Sequence, residues 1–242
     1  MTTREAELNR TFVELADTLV NHFDVAELLH TLASRCVELF EVDAAGLMLA
    51  DERGRLRVVG SSNEETRMLE LFEIQSQEGP CLDCYRTGQT VIAEDLRDDG
   101  RWPRFREQAL TAGFAAATAV PMSLRQEIVG ALNLFRAEPG RVGEDDLVAC
   151  RALADVATIA LIQERALREA RLLAEQLQVA LNSRVVIEQA KGVLAGLSGV
   201  DMDQAFKLIR RYARGKNLLL VDVARDVAQG RLLPADLDRP GH

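Results

Sequence analysis

EDDLVACRALADVATIALIQERALREARLLAEQLQVALNSRVVIEQAK, residues 144–191, runs without glycine or proline and keeps helical spacing of apolar residues throughout. It is longer than an ordinary globular helix and divides the chain into what lies before it and what lies after. Leu153, Val156, Ala160, Leu167, Ala170, Ala174, Leu177 and Leu181 follow at intervals of 3, 4, 7, 3, 4, 3 and 4, a heptad register broken only at Gln163. Core helices seldom keep register over four heptads, so the stretch predicts a two-stranded coiled coil and a homodimer. One helix packed on its own domain is the competing reading. Glu164, Arg165, Arg168, Glu169 and Arg171 narrow the apolar stripe, which suits a coiled coil in water.

On the N-terminal side the pattern alternates between helix and strand. Residues 4–40 read as two helices, the first through Val13, Leu15, Ala16, Leu19 and Val20, the second through Val25, Leu28, Leu29, Leu32, Cys36, Val37 and Phe40, with Asp24 as its N-cap. Ala44–Ala50 and Leu56–Gly60, joined by Asp51-Glu52-Arg53-Gly54, read as a β-hairpin. Asn63–Gln77 returns to helical spacing and ends at Glu78-Gly79-Pro80. Thr90–Ala93 reads as a strand and Trp102–Ala112 as a helix entered through Pro103. Ala116–Met122 and Ile128–Phe135 complete the set, with Pro121 placing the first near an edge or bulge. Strands that meet as hairpins and are flanked by helices predict an α+β domain with a mainly antiparallel sheet.

On the C-terminal side three short helical units are expected: the end of the long helix, closing near Gly196 and Gly199, then Met202–Arg214, then about Asp222–Gln229. Asp201 with Gln204 forms a capping arrangement for the second, and Gly215 is the expected left-handed residue that ends it. Val186, Ala190, Val193 and Leu197, then Ala205, Leu208, Ile209 and Tyr212, then Leu220, Val223, Ala224 and Val227 each make one stripe, the pattern of a three-helix bundle.

Charge is segregated along the chain. The net charge is −9, but residues 1–180 hold 19 Lys and Arg against 31 Asp and Glu, whereas residues 181–242 hold 10 against 7. An acidic average therefore conceals a basic end. Lys207, Arg210, Arg211 and Arg214 fall within two turns, followed by Lys216 and Asn217, while Arg184 and Lys191 share a helix face. Like charges so close repel one another, and a polyanion relieves that repulsion while releasing counterions. The alternative is a solvated face, with Glu188 pairing locally with Arg184 or Lys191.

Two stretches carry a family resemblance. Glu78-Gly79-Pro80-Cys81-Leu82-Asp83, Ala119-Val120-Pro121-Met122 and Gly130-Ala131-Leu132-Asn133-Leu134, in this order of elements, resemble a GAF domain over residues 12–165. Val186–Leu194, Gln204-Ala205-Phe206, Leu208–Ala213, Asn217-Leu218 and Asp222-Val223-Ala224 resemble an ANTAR domain with no gap in register. The resemblance implies a bacterial antitermination regulator: a GAF-type sensor at 1–165, a coiled-coil linker at 166–180, a three-helix RNA-binding domain at 181–235 and a tail at 236–242. It implies an RNA surface of Ala190, Lys191, Gly192, Arg210, Ala213 and Asn217, to which charge adds Arg211, Arg214 and Lys216. RNA stem-loops, bound as a dimer, are the implied partner, with an unknown small molecule as the sensor's ligand. Ala190 also lies on the core stripe, so its role stays open between packing and contact.

Other chemistries fit less well. Cys81 and Cys84 form a lone CxxC, readable as a redox pair, half a metal site, a catalytic thiol or simple packing. His22, His30 and His242 are each more than 50 residues from Cys81, which gives a zinc cluster little support. Phosphate-loop, serine-elbow and HExxH motifs are missing, as is the pattern of cyclic-nucleotide-binding GAF domains, so the sensor reads as a receptor rather than an enzyme, without cofactor or metal. A helix-turn-helix reader of DNA is the other candidate class, but its second helix sets Asp222 and Asp226 against Arg225. A charged N-terminus and the lack of a run of about 20 apolar residues predict a cytoplasmic protein.

Overall fold

Strand and helix fall close to where periodicity places them. The computed structural model describes residues 3–18, 24–125 and 127–237; Leu19, Val20, His22 and His242 lie outside them. The chain divides into two compact units, Met1–Arg165 and Ala166–His242.

The first unit opens with α1 (Thr3–Thr18) and α2 (Val25–Leu39), the latter capped by Asp24, whose carboxylate accepts from the Ala26 amide at 2.7 Å. Five strands follow, interleaved with helices: β1 (Ala44–Ala50), β2 (Leu56–Ser61), α3 (Glu64–Ser76), α4 (Pro80–Thr87), β3 (Val91–Ala93), α5 (Pro103–Thr111), β4 (Ala116–Leu124) and β5 (Glu127–Arg136). They form one antiparallel sheet in the order β2-β1-β5-β4-β3. Pro121 is tolerated because β3 pairs only with residues 117–119 of β4, leaving the edge open beyond, and a bulge follows at Met122/Ser123.

Helices cover both faces, and alternation along each strand sorts the side chains. Ala45, Leu47, Val120, Met122, Leu132 and Leu134 join α1, α2 and the start of α6 (Glu144–Ser198) in the larger core. Val13, placed on the α1 stripe by spacing, is exposed. The opposite face is carpeted by small residues, Ala44, Gly46, Ala117, Ala119 and Ala131, with the buried side chain of Asn133 among them, and meets α3, α4 and α5. Helix α4 is an element that periodicity did not expose. It begins at Pro80, directly after Gly79 at φ 151, the arrangement suited to a first helical turn.

Helix α6 is 55 residues long. Leu153 and Ala160 are fully buried in the first unit's core and Val156 packs against it, so these three serve their own domain instead of opening the dimer seam assigned to them. From Arg165 to Asn182 every residue is exposed.

The second unit comprises the end of α6, α7 (Met202–Gly215), α8 (Leu220–Ala228) and α9 (Pro234–Leu237) around an apolar core that includes Leu194, Ile209, Val223, Val227 and Leu237. Leu237 belongs to this core, not to a tail. Asp201 caps α7 through the Gln204 amide at 2.7 Å, and Gly199 at φ 67 ends α6. The expected role of Gly215 passes to Asn217. Helix α7 continues through Gly215, and Asn217 takes the left-handed conformation at φ 53. The Leu218 amide then bonds the Ala213 carbonyl at 2.8 Å and the Asn217 amide the Arg214 carbonyl at 3.3 Å, a Schellman ending that asparagine tolerates.

Candidate functional site

The basic end of the chain becomes a surface because the apolar stripes of α6, α7 and α8 turn inward. Lys207, Arg210, Arg211 and Arg214 on α7 are exposed, as are Lys216, Asn217 and Arg184. Helix α8 presents no such surplus: Arg225 is paired with Asp222 at 2.7 Å, and Arg231 beyond it with Asp226 at 2.5 Å. The positive face therefore belongs to α7, the helix before the one a helix-turn-helix would insert into DNA.

Lys191 is not a free cation. Its ammonium donates to both carboxylate oxygens of Glu188 at 2.8 Å, its side chain is 15% exposed, and its Nζ stands 6.0 Å from the centre of the Phe206 ring. The local ion pair foreseen for a solvated face thus exists, and it holds Lys191 in one place beside the basic helix. Gly192 is exposed with nothing within 4 Å of where a side chain would start, so no neighbour in the fold demands glycine there. Mid-helix glycine costs about 0.5–1 kcal/mol relative to alanine, a cost without internal return.

Ala190 and Ala213 correct the resemblance. Both are buried in the core of the second unit, and neither offers a methyl group to a partner. Asn217 has the Schellman role in addition to its exposure. The seam positions Leu167, Ala170, Ala174, Leu177 and Leu181 are all exposed.

The cysteines are buried and free. Cys81 and Cys84 sit on α4 against the sheet. Burial pushes the Cys84 thiol up to about 12, and burial together with the nearby Glu73 and Glu70 carboxyls pushes Cys81 well above the ordinary range. Neither is a thiolate at neutral pH, which leaves them poor nucleophiles in this conformation. Among the described residues no group of His, Cys, Asp and Glu is arranged to hold a metal.

Periodicity missed a polar cluster beside them. Glu70 and Glu73 on α3, with Thr66, are fully buried, and Asn133 on β5 donates through Nδ2 to Glu70 Oε1 at 3.2 Å and Glu73 Oε2 at 3.4 Å. Glu73 Oε1 also accepts from the amides of Cys81 and Leu82 at 2.7 and 3.1 Å, which ties α3 to the first turn of α4. Burial raises Glu73 to about 8, and burial with repulsion from Glu73 raises Glu70 well above the ordinary carboxylate value.

An antiparallel sheet sandwiched by helices, followed by a small helical module with a basic face, defines a two-unit architecture, α+β and then all-α. A match to the GAF domain covers residues 22–162 and a match to the ANTAR domain covers residues 175–227. The chain belongs to the GAF domain family, and its domain content is that of a GAF–ANTAR regulator, a ligand-sensing domain joined to an RNA-binding one.

Solved structures agree on the first fold. The GAF domain of a phosphoenolpyruvate-protein phosphotransferase from Acinetobacter superposes with a TM-score of 0.54 at 15% identity, over 69% of this chain and 96% of that one. A free methionine-R-sulfoxide reductase from Neisseria meningitidis gives 0.53 at 17% identity, over 69% and 95%. The corresponding phosphotransferase GAF domain from Coxiella burnetii gives 0.52 at 15%, over 66% and 96%. No curated protein matches the chain. Among the described residues no helix is long and apolar enough to cross a membrane.

Proposed function

We propose that this protein is a homodimeric transcription antitermination regulator that binds RNA stem-loops through the basic face of α7 and the adjoining end of α6. A signal reaching its GAF domain controls that binding. The observation that carries the reading is the collection of exposed Lys207, Arg210, Arg211, Arg214 and Lys216 on one end of an otherwise acidic chain, next to a glycine that faces open space. Arg210, Arg214 and Lys216 contact phosphate or base edges of an unpaired loop, while Lys191 is presented by Glu188 and exchanges that partner for the RNA. Gly192 admits the RNA backbone. Ala190 and Ala213 act from within, by setting the helix spacing.

Exposed Leu167, Leu177 and Leu181 form the seam with a second copy. Doubling the heads matters because a second hairpin on the same transcript meets a high effective concentration.

The test is fluorescence anisotropy with a leader hairpin RNA and a duplex DNA of equal length at matched salt. RNA binds more tightly, and Arg210→Ala lowers the slope of log affinity against log salt by about 1. Equal affinity for duplex DNA, or an unchanged slope, contradicts the proposal.

A further inference from the structure

The small-residue face of the GAF sheet holds acceptors that nothing in the chain satisfies. Thr66, Glu70 and Glu73 lie on one stripe of α3, spaced four and three residues apart, and face Asn133, which is paired with Gly46 in the β1–β5 register. The backbone is shaped around the carboxyls: a β-carbon at Gly46 would collide with Glu70, and one at Gly79 with Glu73. Glu73 is engaged by two amides and Asn133. Glu70 is engaged on one oxygen only.

Its other oxygen, Oε2, has no partner, nor do Asn133 Oδ1 and Thr66 Oγ1, all of them buried. With Glu70 ionised, two of these atoms accept only, and the third is a hydroxyl free to accept. Among the described residues neither Glu70 nor Glu73 makes an ion pair. A buried acceptor left unmade costs about 1–3 kcal/mol, so these three, two on α3 and one on β5, call for a donor, which is a proton on Glu70 or, once Glu70 is ionised, a group from outside the chain. A water molecule offers two hydrogens and no charge. An ammonium group offers up to four and supplies the positive charge that two adjacent carboxyls lack.

We infer that Thr66, Glu70 and Asn133 form a binding site for a nitrogen cation rich in N–H donors, either the ammonium ion or the ammonium head of a small primary amine, and that this is the signal of the GAF domain. The inference rests on the reading of that domain as a sensor and adds the chemistry of its ligand. A cation at this site competes with a proton, because burial raises both carboxyls and favours their protonated form. The groups facing them are Cys81, Cys84 and Asp83 on α4 and Asn133 on β5; the one cation nearby, Arg151, acts on Cys84 and not on the carboxyls, so affinity rises with pH.

Trp102 makes the test direct. It is the only tryptophan, its ring is buried in this domain, and its Nε1 donates at 2.8 Å to Asp83, on the helix whose first turn Glu73 holds. The full chain is titrated at constant ionic strength with ammonium chloride, methylammonium chloride or potassium chloride at neutral and mildly alkaline pH, following tryptophan fluorescence and thermal unfolding. A nitrogen cation gives a saturable response, stronger at the higher pH, and at ten times its Kd raises the unfolding transition by about 4 °C. Potassium gives neither. Response to ammonium alone identifies the free ion, and response to methylammonium identifies an amine head.

Glu70→Gln abolishes the response while the domain still unfolds cooperatively, and Thr66→Val, which keeps the side-chain shape, weakens it about tenfold. Equal effects of ammonium and potassium, or a full response in Glu70→Gln or Thr66→Val, would overturn the inference. None of these readouts involves RNA, so failure here is separate from failure of RNA binding.

Discussion

One heptad register runs along α6, and its two halves are filled in different ways. Leu153 and Ala160 are buried among α1, α2 and the sheet, whereas Leu167, Leu177 and Leu181, in the same register, are 57%, 61% and 57% exposed. Repetition of apolar residues therefore states that a partner exists without stating which one. A sheet with a bare apolar face claims the first turns, and the later turns stay exposed, where the proposed function seats a second copy.

Breaking either half separates them. Leu153→Ala opens a cavity in the GAF core and lowers the stability of that domain by about 3 kcal/mol, measured by denaturant unfolding at Trp102, without changing the sedimenting mass under native conditions. Leu167→Glu combined with Leu177→Glu does the reverse. Sedimentation velocity then shows a monomer, while unfolding at Trp102 shifts by no more than about 0.5 kcal/mol.

The two units respond differently to pH, because the first carries buried acids where the second has an apolar core. Folded Glu73 titrates at about 8 against an ordinary 4.5, and Glu70 is raised as well, so the folded GAF domain keeps protons that the unfolded chain releases. Their contribution to stability is full below the unfolded value and is lost as pH rises through the folded one, so the domain weakens from about pH 4.5 towards 8. Asp95 and Asp99, held below the ordinary range by hydrogen bonds from Arg97 and Arg101, act only at lower pH. Unfolding midpoints across that window decline in the parent and decline less in Glu70→Gln.

The smallest expected effect is at the end of α7. Asn217→Ala forces a β-carbon without a polar compensation into the left-handed region and costs about 1 kcal/mol, whereas Asn217→Gly is neutral or slightly stabilising, by thermal unfolding of the helical unit. A loss of RNA affinity in Asn217→Gly, with stability intact, would then report a contact made by the side chain itself.

Which of these features the sequence revealed follows from what each depends on. Strand alternation, the Asp24 and Asp201 caps and the hairpin at 51–54 are local, and they were legible. Glycine is the stronger left-handed signal, so the sequence points to Gly215 as the end of α7, whereas Gly215 is still helical and Asn217, two residues on, takes that role. Glu70 and Glu73 were missed because a glutamate on an amphipathic helix ordinarily marks the wet face. Their burial depends on Gly46, Gly79 and Asn133, which are distant in sequence, and no spacing rule reports it. Ala190 and Ala213 are small enough to serve a core or an interface, and only packing decided between them.

In the proposed function two basic heads, joined by the exposed half of α6, grip one RNA together. The most direct measurement compares affinity for an RNA with two hairpins and an RNA with one, using the parent and the Leu167→Glu, Leu177→Glu variant at the same salt. The parent should prefer the double hairpin by about 100-fold, and the variant should bind both alike, as weakly as the parent binds one. A monomeric variant that retained the preference, or a parent without it, would contradict the claim.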